Sequence, residues 1–354
     1  MISDVPKTFS GLNPHCQKSD LMRRTLVVGS GSIARRHIAN LRALWPDGEV
    51  ACVSASGRKI EAGETKATTL LQALEEALDW KPEFAVIASP APLHLKHAAR
   101  LVTFGIPVLI EKPVSHTLEG QETWISQLEE HAARIDVAYN LRLLPSAQQF
   151  KRGIEDGLIG RVMNVLVDVG QYLPDWRPQD NYRKGVSARR ELGGGALLEL
   201  SHEFDYLRWF FGGFDNGFCH ASTSGSLELD VEDRADVILS HPDGLVANVH
   251  MDFLQRYPRR TCKAIGEEGS LIWNPIANSV TLATREGERQ LYAEPGWDRN
   301  LMYQDLLRHF AMVARGEAEP LVGFHHALDT LRLVELLKLS AATGRAVAIE
   351  EKHP

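Results

Sequence analysis

Lys112 and His202 stand where acid–base chemistry would need them. Lys112 lies in Glu111-Lys112-Pro113, directly after an apolar strand-like run over residues 107–110. Ligands of open α/β sheets gather at the carboxyl ends of strands, and an ammonium there can meet a substrate oxygen. His202 lies in Gly193-Gly194-Gly195-Ala196-Leu197-Leu198-Glu199-Leu200-Ser201-His202-Glu203-Phe204-Asp205. The glycine run lets backbone approach a ligand, and the pattern predicts a helix continuing to about Phe211. On it Glu199, His202 and Asp205 are three apart and share a face. A carboxylate beside an imidazole orients it and holds its pKa near neutral, as a general base requires. A zinc-protease helix is excluded, because Tyr206 occupies the second histidine position. His94 and His97 have helical spacing, but nothing completes a metal shell, so no metal is expected.

A third feature precedes both. Leu26, Val27 and Val28 form a short apolar run, followed by Gly29-Ser30-Gly31-Ser32-Ile33-Ala34 at the start of a helical pattern. Gly29 suits a tight turn, Gly31 a close approach to a pyrophosphate, and Ala34 close helix–strand packing. The phosphates would sit on the free N–H groups that open the helix. At the end of the next strand (residues 49–53) this fold usually places an acid for the ribose 2′-hydroxyl. Here stand Ser54, Ser56 and Arg58, with no carboxylate before Glu61. Hydroxyls and a guanidinium suit a 2′-phosphate, which favours NADP over NAD.

Elements must hold these groups together. Strand-like runs at 26–28, 49–53, 84–88, 107–110 and 136–139 alternate with helical patterns at 32–44, 68–79, 93–104 and 117–134. That rhythm predicts a parallel, doubly wound sheet. After Asn140 strand-like segments are joined by hairpin signals, among them Pro242-Asp243-Gly244 and Gly266-Glu267-Glu268-Gly269. An α+β second half with a large, mostly antiparallel open sheet is expected, with helices returning at 300–315 and 324–343. The division is therefore a tail at 1–22, a dinucleotide-binding unit at 23–140 and a substrate and oligomerisation unit at 141–354. The tail has no periodicity and is expected to be flexible.

Bulk properties narrow the class. The 354 residues are 44% hydrophobic with a net charge of −7, enough for a full core but not the basic surface that nucleic acid demands. No apolar run approaches the ~20 residues of a membrane span. Cys16, Cys52, Cys219 and Cys262 are widely spaced, as suits reduced thiols in a cytoplasmic protein.

Taken together, Gly29-x-Gly31-x-x-Ala34-x-x-His37, Ser89-Pro90 with His94, Glu111-Lys112-Pro113, Asn140-x-Arg142 and residues 193–205 resemble the glucose–fructose oxidoreductase / inositol dehydrogenase / MocA-type (Gfo/Idh/MocA) family from about Arg23 to Glu350. The resemblance implies an N-terminal Rossmann domain, a C-terminal domain whose open sheet often forms the oligomer interface, and a substrate between them. It implies that Lys112 hydrogen-bonds the reacting oxygen and that His202 takes the proton when an alcohol is oxidised. Many members carry an aspartate four residues before that histidine. This chain has Leu198 there, leaving Glu199 as the nearest acid. The implied cofactor site comprises Gly29, Gly31, Ser32, Ile33, Ala34, Ser54, Ser56, Arg58, Ser89, Pro90, His94, Glu111 and Lys112. For substrate, Asn140, Arg142 and Asp205 join Tyr172, Trp176, Arg177 and Tyr182, whose aromatic faces and guanidinium suit an acidic or nucleotide sugar. Residues 171–178 and 193–211 look like a branch of nucleotide-sugar biosynthesis. The expected activity is hydride transfer between nicotinamide and a carbinol or ketone carbon of a sugar, in a homodimer or homotetramer. The alternatives are a nicotinamide-retaining lyase or glycoside hydrolase, and a non-catalytic sensor.

Overall fold

The computed structural model describes residues 22–176 and 178–350. Its first half runs β1 (Arg24–Val28), α1 (Ser32–Leu44), β2 (Glu49–Val53), β3 (Thr69–Leu71), α2 (Leu74–Trp80), β4 (Phe84–Ile87), α3 (His94–Val102), β5 (Val108–Ile110), α4 (Glu122–Glu129) and β6 (Ile135–Val137). The six strands are parallel in the order β3-β2-β1-β4-β5-β6. That order reverses beside β1, which creates the crevice where dinucleotides bind in doubly wound sheets. Leu26, Val27, Val86 and Leu109 are fully buried, as strands covered on both faces must be.

Two predicted helices are shorter than expected. Leu70 and Leu71 belong to β3, which pairs with β2 at the sheet edge; only Leu74 and Leu78 lie on α2. Residues 117–134 hold one central helix, α4, and a 3₁₀ turn at Ala132–Arg134. Most of the expected tail lies outside the described residues. Its last member does not behave as one: Met22 is buried against the core that includes Trp45 and Val50.

The second half continues with α5 (Pro145–Glu155), β7 (Val162–Gly170), α6 (Leu173–Trp176), α7 (Ala196–Glu199), α8 (His202–Phe211), β8 (Asn216–Ser222), β9 (Arg234–Ser240), β10 (Val246–Asp252), β11 (Arg259–Gly266), β12 (Ser270–Asn274), β13 (Ser279–Thr284), β14 (Gly287–Ala293), α9 (Leu301–Ala314), α10 (Phe324–Thr343) and β15 (Val347–Ala348). Nine strands form one open sheet, β14-β13-β12-β11-β7-β10-β9-β8-β15. All neighbours are antiparallel except β7 and β10. One face packs on the helices through Val165, Val167, Val249, Leu271 and Trp273, all buried.

α9 does not stay with that sheet. Its Leu306, Leu307, Phe310 and Ala311 enter the core beneath the first sheet, where the Phe310 ring meets Phe84 edge-on at 5.3 Å. The chain thus returns after residue 300 to complete the first layer and to wall the crevice.

Candidate active site

The crevice begins at the β1–α1 turn. Gly29 has φ +123°, and a Cβ there would lie 2.4 Å from the backbone oxygen of Ala88; only glycine fits. A Cβ on Gly31 would meet nothing within 4 Å, so open space lies over the turn. Gly31 caps α1 without any side-chain hydrogen bond, and the N–H groups around Ser32 and Ile33 are left for a ligand. Ala34 is fully buried. This arrangement fits a dinucleotide pyrophosphate.

The loop after β2 holds Ser54 and Ser56, whose hydroxyl oxygens are 3.3 Å apart. Arg58 donates to Ser30 Oγ at 2.7 Å and to Glu64 Oε2 at 2.9 Å. Glu64 supplies the carboxylate absent from the strand end itself, and the Arg58 guanidinium lowers its pKa to about 2. Arg58 therefore reaches the glycine turn already paired with an acid.

The ends of β4 and β5 tie the next groups together. His94 is buried with Nδ1 2.8 Å from Pro113 O and Nε2 2.7 Å from Ser89 O. Both nitrogens are taken by backbone, so His94 braces the two strand ends instead of facing a ligand. Ser89 Oγ lies 3.1 Å from His97 Nδ1, and Pro90 leads into the 3₁₀ turn Ala91–Leu93. Glu111 is likewise committed, with Oε1 2.6 Å from Nε2 of the buried His37. Lys112 follows at the strand end.

Lys112 meets the second half at the junction of α7 and α8. Its Nζ donates to Glu199 O at 2.9 Å and stands 3.8 Å from Glu199 Oε1. Glu199 Oε2 accepts from Ser187 Oγ at 2.8 Å. The approach of this segment rests on Gly195, whose φ is +103° and whose Cβ would strike Glu232 Oε1 at 2.4 Å. The expected continuous helix breaks at Leu200-Ser201, so the three-residue spacing does not put Glu199 and Asp205 on His202. Glu199 faces Lys112. Asp205 faces Arg142, accepting from Nε at 3.0 Å and Nη2 at 2.7 Å. His202 is left with Tyr139 edge-on at 5.4 Å and a buried Nδ1 that has no hydrogen-bond partner among the described residues. Burial first, then the charges of Lys112 and Arg260, push its pKa well below the ordinary histidine range. The imidazole is neutral, the form that accepts a proton.

A cavity of about 400 Å³ opens beside His202, lined by Asn140, Arg36, Arg260, Arg299 and Tyr303 among others. The other expected substrate contacts among the described residues do not line it. Arg142 and Asp205 are buried in their own ion pair. Tyr172 stacks under Arg256 at 3.5 Å, Trp176 donates Nε1–H to Gln171 O and packs on Phe253, and Tyr182 lies beneath Arg183 at 4.8 Å. Arg177 lies outside the described residues. Sequence reasoning missed Arg36, Arg260 and Arg299. Arg36 alone carried a local signal, one helical position before His37 in the glycine motif.

No helix among the described residues is long and apolar enough to cross a membrane. Residues 23–139 match the model of the "Oxidoreductase family, NAD-binding Rossmann fold", and residues 147–272 that of the "GFO/IDH/MocA C-terminal domain". The 1,5-anhydro-D-fructose reductase of Ensifer adhaerens is 27% identical over 93% of this chain and 99% of its own length. The myo-inositol dehydrogenase Hyg17 of Streptomyces leeuwenhoekii is 26% identical over 90% and 97%. A levoglucosan dehydrogenase solved with NADH and levoglucosan has the same fold, with TM-score 0.80 and 20% identity, covering 93% of this chain and 99% of that one. Two family models in tandem on a glycine-turned parallel sheet and an open antiparallel one make this chain a member of the Gfo/Idh/MocA family of NAD-binding oxidoreductases.

Proposed function

We propose that this protein is an NAD(H)-dependent dehydrogenase or reductase acting on a carbinol carbon of a sugar or sugar derivative. One observation carries the reading: the Lys112 ammonium, at the carboxyl end of the first sheet where the Gly29 turn also lies, reaches across to Glu199 of the second half, three residues before the neutral imidazole of His202. The sugar enters through the relatives, whose substrates by name are sugars and inositol. A bound nicotinamide supplies the hydride acceptor or donor. Lys112, held by the Glu199 carbonyl, donates a hydrogen bond to the reacting oxygen and stabilises its developing negative charge. His202 takes the hydroxyl proton on oxidation and returns it on reduction. Asn140 lines the same cavity and binds the sugar. The unpaired buried thiols Cys52, Cys219 and Cys262 support a cytoplasmic setting.

Lys112→Ala and His202→Ala each lower turnover on a sugar panel by at least ~10²-fold, while the dinucleotide Kd stays within a few-fold of wild type. Loss of dinucleotide binding, or undiminished turnover, would remove these roles. The sequence favours NADP. The pairing of Arg58 with Glu64 supports NAD instead, because a 2′-phosphate must compete with that carboxylate. NADH should therefore bind more tightly than NADPH, and Glu64→Gln should narrow the gap by about tenfold, a shift worth about 1.4 kcal/mol. An unchanged ratio of the two Kd values assigns the choice to other residues.

A further inference from the structure

The proposed reading leaves the charge of the cavity unexplained. Three guanidiniums, Arg36, Arg260 and Arg299, line it against one carboxylate, Asp298. The Asp298 Oδ1 accepts the backbone N–H of Asn300 at 2.8 Å. Arg260 is compensated: its Nε and Nη2 bind Glu203 Oε1 and Oε2 at 2.7 and 3.0 Å, and Glu203 is fully buried. Arg299 differs. Its Nη1 donates to the carbonyl of Pro275 at 3.0 Å, a neutral acceptor that does not balance its charge. Arg36 lays its guanidinium over the Tyr303 ring at 4.6 Å, a contact that brings it no carboxylate. Arg299 and Arg260 act on each other strongly enough that Arg260, after burial, lowers the Arg299 pKa. Both also act on His202, and all three arginines line the same cavity as that imidazole.

A site for an uncharged sugar has no use for such repulsion, since hydroxyls are met by amides, carboxylates and aromatic faces. Two guanidiniums without a carboxylate partner among the described residues, Arg299 and Arg36, match an anion, for which arginine offers a planar fork. Resting on the proposed sugar oxidoreductase activity, we propose that the substrate carries a carboxylate or phosphate remote from the reacting carbon, clamped by Arg299 with Arg36 beside it. Arg260, tied to Glu203, is the charge-compensated member of the cluster and lines the same cavity.

The experiment takes the full chain with saturating NAD(H) and matched probes: D-glucose, D-glucuronate and D-glucose 6-phosphate, with the galacto and manno sets. Kd is read by calorimetry, and kcat and KM by NADH absorbance. In at least one set a charged sugar binds tenfold or more tighter than its neutral counterpart, and the gap shrinks between 50 and 500 mM salt. Arg299→Gln lowers the charged-to-neutral ratio of kcat/KM at least tenfold, chiefly through KM. Arg299→Lys, which keeps the charge and loses the fork, recovers part of it. Preference for the uronate names a carboxylate, and preference for the phosphate ester names a phosphate; either supports the clamp. Equal affinity across every set, or a ratio untouched by Arg299→Gln, overturns the clamp while leaving the oxidoreductase reading standing. Charged sugars that bind through Arg299 but are never oxidised, with their neutral partners equally inert, overturn that reading and leave the clamp.

Discussion

Arg142 and Asp205 are buried against each other, with His326 Nε2 3.2 Å from the same carboxylate. Arg142 holds the Asp205 pKa at about 2 against a burial that would raise it. Removing one partner of a buried pair strands the other, which costs about 3–5 kcal/mol. Arg142→Leu should therefore lower stability by roughly that amount, read as a fall in the urea midpoint. A substrate contact would behave otherwise, raising KM and leaving the midpoint in place. Partnerships of this kind set what could be read from sequence. The glycine turn and the positions of Lys112 after a strand and His202 at a helix start were legible because each follows from a local pattern of residue types. Which acid serves which base was not. Arg142 and Asp205 are 63 positions apart, and Glu199 turns to Lys112 only because the chain bends at Leu200-Ser201. The arginines of the cavity come from α1, β11 and the approach to α9, three elements with no shared local motif.

Among the elements, α9 joins the chemistry of one half to the architecture of the other. Phe310 is fully buried against Phe84 of the first sheet, and two turns earlier the same helix presents Tyr303 to the cavity. The helix was legible from its period, but an apolar stripe does not say which sheet it will cover. That address is set by the rings already waiting there, Phe84 and Trp45, themselves edge-on at 6.3 Å. The same ambiguity made Leu70, Leu71, Leu74 and Leu78 read as one helix, since a short edge strand followed by a helix gives similar spacing. Truncating Phe310 leaves a cavity that a packed core fills poorly. Phe310→Ala should lose about 3–5 kcal/mol in urea unfolding, and the loosened wall should raise KM for sugar. A loss under about 1 kcal/mol would mean α9 packs only loosely on the first sheet.

On the whole molecule, the unusual surface is the outer face of the nine-stranded sheet. Cross-strand register places Phe218, Ile238, Asn248, Leu166, Lys263 and Ile272 in one row on that face. Phe218, Ile238 and Leu166 remain 39%, 49% and 43% exposed, although a sheet face turned to water normally alternates to polar residues. Phe218 and Ile238 are adjacent, with Leu166 beyond Asn248, and exposed apolar side chains gathered on one face mark an interaction site. We propose that a second copy of the chain covers it, a reading supported by the apolar row itself and by the resemblance noted in the sequence. Ile238 is the most exposed of these three apolar side chains, which makes it the informative position. Ile238→Lys places a charge where two copies would meet, while an exposed substitution alters folding stability by only about 0.5 kcal/mol. Wild type at micromolar concentration should sediment as a dimer or tetramer, and Ile238→Lys as a monomer with an unchanged urea midpoint. A monomeric wild type, or an oligomer indifferent to the lysine, would leave this face to a different partner.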